Sequence, residues 1–455
     1  MEGRTSVLDT AAGKGGSHAH CHRVLTAATI ALVLTGGIPH VASATVFFCG
    51  SGDVFCLIGS IRSANEGRGA DTIILQAGTY TFTAVDNTVD AESSGGNALP
   101  SITSRVTIQG AGATETILDG GGEPGRPGLP PSPPPPGGFL RLFHIAASGK
   151  LTLHGLTIQG GVAPAGGGIF NRGTLTLSDT VLRDNKTTFF GAGGGGAVYS
   201  VGTLRIVDSR VTGSFAGLSN GAGIFSSVSL QVLRSTIDNN GSSGADHGGG
   251  IFATGTVTIK DSAIADNRAF LGGGGLSVSG TVTITNTTIA NNDAINGSGG
   301  GLGLGSGTFR LTNVTVADNS TDLAGGGGLF VGIGAAVTLQ NTILARNTAG
   351  PFDRSSDCFG SITSLGNNII GNTEGCTIDL ASTDFVGDPG LGVLVDNGDI
   401  PGHEYIPLLA ESPAIDAGNR DACPRRDQLR NRRVDVDGDR PVRCDIGALE
   451  FIPAP

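Results

Sequence analysis

Three aspartates near the carboxyl terminus have the spacing of a cation-binding loop. Asp435, Asp437 and Asp439 occupy alternate positions of one short stretch, with Gly438 among them. Carboxylate oxygens spaced in this way can wrap around a hard cation such as Ca²⁺. The glutamate that completes an EF-hand loop is missing, so two interpretations stay open. The stretch is a candidate calcium site, or it is an ordinary solvated turn.

A second polar group consists of Asp238, Asp246 and His247, with Arg234 nearby in the sequence. A carboxylate and an imidazole can act as acid and base. Asp246 and His247 come directly before a run of glycines, however, and this position favours a solvated corner of the backbone over chemistry. We therefore assign no catalytic residue from the sequence.

An arginine-rich segment covers residues 420–443. It carries a net charge of +3, because five aspartates lie among eight arginines, whereas the whole chain has a net charge of −11. These arginines either pair with carboxylates of the same chain, which the composition favours, or form a patch for an anionic ligand. They are Arg420, Arg425, Arg426, Arg430, Arg432, Arg433, Arg440 and Arg443.

Six cysteines follow the first 44 residues, and their even number favours disulfides. A metal site is the alternative, but there is no CxxC pair and no cluster of histidines. Fifteen pairings are possible for six cysteines. Proximity in the sequence favours Cys49–Cys56, Cys358–Cys376 and Cys423–Cys444.

Residues 22–44 have the features of a secretory signal. A positive start precedes an apolar stretch too short to span a bilayer, and Ala-Ser-Ala at 42–44 offers small residues for cleavage. Removing residues 1–44 takes away three basic and two acidic side chains and leaves a net charge of −12. This charge argues against nucleic acid and anionic lipid as partners. We expect a secreted or cell-surface protein that is not inserted in a membrane and is monomeric.

The elements that position these residues come from a repeat of about 26 residues. In eight copies the first, third and eighth positions are apolar, which indicates short strands with one buried face. A glycine run after most copies lets the backbone turn without side-chain clashes. Three short strands and three corners per turn predict an all-β fold, a parallel β-solenoid of about 12 turns. The copies start at residues 151, 175, 204, 230, 257, 282, 309 and 337.

The composition agrees with this interpretation and excludes several others. Glycine accounts for 78 of 455 residues without the three-residue period of collagen, and charged residues make up only 15%. Disordered chains carry more charge and fewer β-branched residues.

Two polar positions recur in the repeat. The fifth is Asp or Asn in six copies, and Asp208, Arg234 and Asp261 would alternate in sign there as a structural ladder, continued by an amide ladder at Asn286, Asn313 and Asn341. The eleventh is Asn in six copies, and we expect it to adopt the left-handed conformation of a corner.

One register of the repeat carries aromatic rings at Phe170, Phe225, Phe252 and Phe330, interrupted by Ser277 and Gly303. A packed aromatic stack is favoured over a row of sugar-stacking rings.

The GGGIF-type turns and the closing asparagines resemble the right-handed parallel β-helix proteins of the pectate-lyase-like superfamily. They are also similar to the repeats of chlamydial polymorphic outer membrane proteins. Residues 56–118 resemble the CSLREA-type N-terminal module in a degenerate form, and residues 387–451, with SPAID, DAG and CDIGALE, resemble the choice-of-anchor Q region.

The resemblance implies a right-handed β-helix and a division into five segments. They are a leader and signal peptide (1–44), an N-terminal cap with the first β-helix turns (45–123), a proline-rich loop insertion (124–138), the main β-helix repeats (139–386) and a choice-of-anchor Q-like region (387–455).

Enzymes of this superfamily use carboxylates, with calcium or as an acid/base pair, together with Arg or Lys. None of their characteristic strings is present in this chain. Our main hypothesis is a binding or structural surface for polysaccharides or cell-surface glycans, without catalysis, with Ca²⁺ as the only candidate cofactor. The alternative is a polysaccharide lyase, hydrolase or C5-epimerase.

Overall fold

The computed structural model describes most of the chain that follows the predicted leader. The described residues are 23–24, 43–67, 69–88, 95–122, 140–188, 193–244, 246–322, 325–350, 356–396, 402, 404–433 and 444–453. The proline-rich insertion predicted at 124–138 and most of the predicted signal peptide lie outside them, so these predictions stay untested.

The chain coils into a right-handed parallel β-helix of about 11 turns, which confirms the predicted fold class. Leu151 pairs with Leu175, and Leu175 pairs with Leu204 in the next turn. The same register continues through all eight copies of the repeat. The stacking is therefore the one that the alignment of the repeats predicts.

Each turn has three main strands, which define three faces. Face A holds the first positions of the repeat, such as 151–154, face B follows the first bend, as at 157–159, and face C follows the glycine run, as at 169–171. Between faces B and C lies a fourth strand of two residues, and seven of these form a separate sheet that the sequence did not predict.

The first part of the chain builds one end of the solenoid. Its elements are the strands Arg23–Val24, Val46–Cys49, Ala70–Leu75, Gly78–Thr81, Gly96–Asn97, Arg105–Gln109 and Thr116–Asp119, and the helix α1, Val54–Glu66.

The repeats and the turns that follow them supply the remaining strands. These are Leu140–Arg141, Phe143–Ile145, Lys150–Gln159, Val162–Ala163, Ile169–Asn171, Thr174–Arg183, Lys186–Thr187, Val198–Ser200, Thr203–Val207, Arg210–Thr212, Phe215–Ala216, Ile224–Ser226, Ser229–Leu233, Thr236–Asp238, Gly241–Ser242, Ile251–Ala253, Thr256–Ala265, Arg268–Ala269, Leu276–Ala290, Asp293–Ala294, Leu302–Ala317, Ser320–Thr321, Leu329–Val331, Ala335–Gln340, Ile343–Ala345, Cys358–Ser364, Ile369–Ile370, Cys376–Asp379 and Phe385–Val386.

Apolar side chains of the three faces fill the inside of the solenoid. Leu153 from face A, Ile158 from face B and Ile169 from face C are fully buried, and equivalent residues stack above and below them. A single turn could not bury these side chains, because each needs the turns on either side as its neighbours. The core is consequently one column that runs along the axis.

The bend between faces A and B, which we call the A–B corner, is made by the fifth residue of each repeat. This residue has a positive φ in all eight copies, from Gly155 at 62° to Asn341 at 51°. Gly, Asp and Asn tolerate this conformation best, which explains their frequency at the position. Arg234, with a φ of 48°, is the one long side chain at this corner.

The expectation for the eleventh residue is wrong. The tenth residue, such as Asn239 at 53° or Asp266 at 54°, takes the left-handed conformation at the second bend. The asparagine that follows points inward and is buried. Asn267, for example, donates from Nδ2 to the Ile237 carbonyl (2.8 Å) and to Oδ1 of Asn292 (3.0 Å). Its role is a buried amide ladder that satisfies backbone groups inside the turn.

The helix α1 covers the N-terminal end of the core with Leu57 and Ile61, which are fully buried. Asp53 caps it by accepting a hydrogen bond from the Cys56 N–H (2.9 Å). The helix blocks the open end of the solenoid, where unpaired strands would otherwise invite association.

The C-terminal segment, residues 388–396, 402, 404–433 and 444–453 as described, folds back over face B and the A–B corner. Ile406, Leu408 and Ile446 pack with Ile343 in a second, smaller core. Hydrogen bonds support this contact, including one from Thr288 Oγ1 to Gln428 Oε1 (2.6 Å). The segment therefore covers the solenoid laterally and does not extend it.

Candidate functional site

The predicted calcium ligands Asp435, Asp437 and Asp439 lie outside the described residues, so the calcium site remains a prediction. Within the described ranges, no group of three or more His, Cys, Asp or Glu side chains is arranged to hold a metal ion.

All six cysteines of the expected set form disulfides, in the expected pairs. Cys49–Cys56 ties α1 to the first strand of face A, and Cys358–Cys376 joins the last turns. Cys423–Cys444 closes a loop of the C-terminal segment with Cα atoms 6.4 Å apart. Three disulfides are typical of a protein from an oxidising compartment. In the part of the chain that the structure describes, no helix is long and apolar enough to cross a membrane.

The structure does not bring Asp238, Asp246, His247 and Arg234 together into one catalytic site. Arg234 lies on the A–B corner and Asp238 on face B. Asp246 is buried in the turn before face C, where its Oδ1 accepts from Ser242 (2.8 Å) and burial raises its pKa to about 7. His247 beside it is exposed, and partial burial of its ring lowers its pKa.

Asp238 instead takes part in a buried ion-pair cluster that clamps the C-terminal segment to face B. Arg210 donates to both oxygens of Asp238 (2.8 Å each) and to Oε1 of Glu404 (3.1 Å). The Oε2 of Glu404 is buried and has no hydrogen-bond partner among the described residues. Burial, followed by the charge of Asp238, raises the pKa of Glu404 to about 8.

The aromatic register forms two stacks along face C. His144, Phe170, Tyr199, Phe225 and Phe252 follow one another with ring centroids 4.5 to 5.8 Å apart. The second stack is Phe330 with Phe359 at 5.5 Å. The rings pack against one another as expected, and Ser277 and Gly303 separate the two stacks.

A cavity of about 420 Å³ lies where the C-terminal segment meets the A–B corner. We call it the basic cavity, because five of its lining residues are cationic and one is acidic. The cations are Arg234, Lys260, Arg425, Arg426 and Arg430, and the acid is Asp261.

A second cavity of about 380 Å³ lies on the same corner, nearer to the N-terminal end. We call it the histidine cavity, since His154 lines it and pairs with Asp179 (Nδ1 to Oδ2, 3.2 Å). Both side chains are about half exposed, so the pair is open to solvent.

One ion pair separates the two cavities. Arg234, which lines the basic cavity, donates to Oδ1 and Oδ2 of Asp208 (2.6 and 2.7 Å), and Asp208 lines the histidine cavity. The expected alternation of charge is present, since Arg234 pairs with Asp208 and lies near enough to Asp261 for their charges to interact. We call the two cavities and this ion pair the corner groove.

Inside the basic cavity, burial raises the pKa of Asp261, while Asn286, Lys260, Arg234 and Arg430 act in the opposite direction. Asn286 donates to Asp261 Oδ1 (2.8 Å) and to the Arg426 carbonyl (2.7 Å), so the carboxylate is held by an amide. Asn313 and Asn341 likewise donate to the C-terminal segment, at the Asp445 and Asn419 carbonyls.

The sequence left two roles open for the arginines of residues 420–443, intramolecular ion pairs and a patch for an anionic ligand, and the structure contains arginines of both kinds. Arg433 is buried and pairs with Glu450 (2.9 Å), as intramolecular pairing requires. Arg425, Arg426 and Arg430 are exposed around the cavity and form no ion pair with another described residue. The sequence showed the excess of arginine, but no periodicity indicated that this segment returns to the turn of Arg234 and Lys260.

Comparisons with known proteins give distant similarities only. No protein-family model matches the chain, and no curated protein is similar to it in sequence. The narrower resemblances to CSLREA, choice-of-anchor Q and polymorphic outer membrane protein sequences therefore stay predictions.

Among solved structures, the chain is similar to the A-modules of the mannuronan C-5 epimerases AlgE6 and AlgE4 of Azotobacter vinelandii. The AlgE6 module has 14% identity and a TM-score of 0.32, and the match covers 74% of this chain and 92% of that module. The AlgE4 module has 15% identity and the same TM-score, and the match covers 75% of this chain and 95% of that module. A mannuronic acid specific polysaccharide family 6 lyase from human gut microbiota has 10% identity and a TM-score of 0.23, with 74% and 91% covered. At these TM-scores the similarities say nothing about what this chain binds.

Proposed function

We propose that this protein binds polysaccharide chains along the corner groove and does not transform them. The observation that carries the proposal is the position of the two cavities, which follow one another on one corner with only the Asp208–Arg234 pair between them. A groove of this shape, parallel to the axis, suits an extended polymer better than a compact small molecule.

The chemistry of the groove suits glycans. Its walls offer hydrogen-bond donors and acceptors on side chains whose backbone is fixed by the stacked turns, such as His154, Asn286 and Lys260. Hydroxyl-rich ligands are held by several such groups at once. A rigid scaffold reduces the ordering that binding requires, since the groove exists before the ligand arrives.

One observation favours the alternative of a lyase, hydrolase or epimerase. His154 and Asp179 form a pair in the histidine cavity, 3.2 Å apart, and a histidine oriented by a carboxylate can serve as a base. We keep non-catalytic binding as the main proposal, because both side chains are well exposed and no second acid is held against the imidazole among the described residues.

A polysaccharide panel separates these functions. Neutral and acidic polymers are titrated into the protein with and without Ca²⁺, and the release of reducing ends and of unsaturated uronates is followed in parallel. We expect binding without turnover, weakened about tenfold by Arg234→Gln, which removes one charge-assisted donor from the groove. Arg268→Gln, outside the groove, is the matched control.

The outcomes are distinct. A panel without any binding polymer would reject the proposal. Turnover that His154→Ala abolishes would establish the alternative. A calcium requirement for binding would support the Asp435, Asp437 and Asp439 site, whereas calorimetry without calcium heat would dismiss it.

We further propose that the protein is exported through the signal at residues 1–44 and acts outside the cell or at its surface. The three disulfides support this, because such bonds persist in oxidising compartments.

A further inference from the structure

We propose that the basic cavity is a binding site for a phosphate monoester carried by a sugar. This inference deepens the proposed function and rests on it for the glycan that bears the phosphate. The His154–Asp179 pair of the histidine cavity takes no part in it.

The charge of the cavity sets the class of ligand. Five cationic side chains line it against one carboxylate, Asp261, and Asp208 neutralises Arg234 from just outside. A surplus of three positive charges remains. A carboxylate or a sulfate ester brings one negative charge, whereas a phosphate monoester brings about 1.5 to 2 at pH 7. The phosphate monoester dianion therefore compensates the surplus positive charge of the cavity best.

The cations belong to different elements that meet at the cavity, so a tetrahedral group with several acceptor oxygens can contact more than one of them. Arg234 comes from the A–B corner, Lys260 from the end of face A, and Arg425 and Arg430 from the C-terminal segment. Guanidinium groups bind phosphate through paired N–H donors, and the ammonium group adds a point charge.

The arginines of the C-terminal segment belong to a loop that is already ordered. Asp427 is fully buried, accepts from the Asn431 N–H (2.7 Å) and donates its own N–H to the Asn431 carbonyl (3.0 Å). Arg426 Nη1 donates to the Arg430 carbonyl (2.6 Å). A loop fixed by such contacts holds Arg425 and Arg430 beside the cavity before any ligand binds, which reduces the entropy cost of binding.

Within the part of the chain that the structure describes, intramolecular neutralisation does not explain Arg425 and Arg430. Where an arginine of this segment pairs internally, as Arg433 does with Glu450, both side chains are buried, with exposures of 5% and 0%. Arg425 and Arg430 are exposed at the cavity, and no carboxylate among the described residues forms an ion pair with either. Their charges remain available to a ligand.

The test uses three compounds that share one sugar ring. Glucose 6-phosphate, glucuronate and glucose carry a dianion, a monoanion and no charge, and inorganic phosphate serves as the fourth probe. Calorimetry on the full chain should show glucose 6-phosphate binding at least about tenfold more tightly than glucuronate, and no heat with glucose. Inorganic phosphate should bind and compete with glucose 6-phosphate.

Variants locate the site. Arg425→Gln and Arg430→Gln should each weaken binding of glucose 6-phosphate about tenfold. Arg420→Gln makes the same charge change in the same segment outside the cavity and should leave binding unchanged. Circular dichroism and melting temperature check that all three variants are folded, as expected for exposed side chains.

The result that overturns the inference is equal binding of glucose 6-phosphate and glucuronate, or an equal loss in Arg420→Gln. If the polysaccharide panel still shows binding in that case, the proposed function stands without the phosphate site. If no polysaccharide binds but glucose 6-phosphate binds through Arg425 and Arg430, the phosphate site stands and the proposed function fails.

Discussion

At the scale of single residues, Glu404 is the group of the C-terminal segment that we expect to contribute most to the pH response of its attachment above pH 6, where the pKa of about 6 of the buried Asp445 has been passed. Its carboxyl group is buried, and one of its oxygens has no partner among the residues that the structure describes. Asp238, Asp396 and Asp266 lie near enough to disfavour its charge. Arg210 offsets only part of this effect, because its charge is shared between Glu404 and Asp238, to which it donates from Nε and Nη2. The pKa of Glu404 is therefore raised to about 8 in the folded protein.

The sign of the pH dependence follows from this shift. An unfolded glutamate ionises near pH 4.3, so between about pH 4 and 8 the unfolded state releases a proton that the folded state retains. The contribution of this group to the free energy of unfolding must then fall as the pH rises through that window. Glu404→Gln, which keeps the shape and cannot ionise, should flatten the profile and melt at a higher temperature than the wild type at pH 8.

Thermal melts from pH 5 to pH 9 measure this difference. The exposed Glu411 lies in the same segment, and Glu411→Gln should leave the profile of the wild type intact. A Glu404→Gln protein whose stability declines with pH as steeply as that of the wild type would show that another group is responsible.

At the scale of elements, the buried asparagine ladder stabilises the second bend of each turn. Oδ1 of Asn292 accepts from both N–H and Nδ2 of Asn267 (3.0 Å each), and its Nδ2 donates to the Ile264 carbonyl (2.9 Å). Every one of these groups is buried, so none of them can form a hydrogen bond with water instead when the amide is removed.

Asn292→Ala should accordingly lower the free energy of unfolding by about 3 kcal/mol, the cost of leaving two or more buried polar groups unsatisfied. Urea denaturation followed by far-ultraviolet circular dichroism measures it. Asn296→Ala, on the exposed loop that follows, should cost less than about 0.5 kcal/mol. Equal losses in the two variants would contradict the ladder.

The disulfide Cys423–Cys444 is a second feature that holds an element in place, in this case the C-terminal segment. Its Cys423 sulfur lies 3.3 Å from Asn341 Nδ2 on the A–B corner, so it fixes the C-terminal segment close to the basic cavity. Removing it with Cys423→Ser and Cys444→Ser frees a loop of about 20 residues and should cost about 3 kcal/mol.

Hydrogen exchange locates the effect. Amides of residues 404–433 should exchange faster in that double variant, while those of face A keep their protection. In the double variant Cys358→Ser and Cys376→Ser, the amides of the last turns should exchange faster, while those of residues 404–433 keep their protection. Unchanged exchange at 404–433 would mean that the second core alone holds the segment.

These elements also show how much of the structure could be predicted from the sequence. Register was predictable because Leu151, Leu175 and their equivalents repeat at nearly constant spacing, and a slip would expose the core. The left-handed conformation of the fifth residue was not predicted, although the Asp and Asn found there tolerate it. The buried ladder at the eleventh residue was misjudged, since asparagine suits both a bend and an inward amide. The basic cavity was beyond prediction, because it joins residues near 234–261 to residues near 425–430, which no local pattern connects.

At the scale of the whole molecule, the fold has one long dimension. Strands of face A stack from Val46–Cys49 to Cys376–Asp379, and at ~4.8 Å for each step the column is about 60 Å long. The helix α1 covers its first end, and the C-terminal segment widens it on one side.

Small-angle scattering should therefore show an elongated particle with a maximum dimension above about 60 Å, and circular dichroism should show β-structure with little helix. Sedimentation at several concentrations, which separates a single rod from an end-to-end assembly, is the control. A compact, nearly spherical profile would refute the stacked arrangement.

The basic cavity is shared between turns in the middle of the chain and residues close to its end. The turns that carry Arg234 and Lys260 can form without residues 424–430, but the cavity exists only after those residues have docked on the stacked turns. Closure of this cavity is therefore a late event in folding, and a ligand that needs both parts of its lining binds only the completed fold.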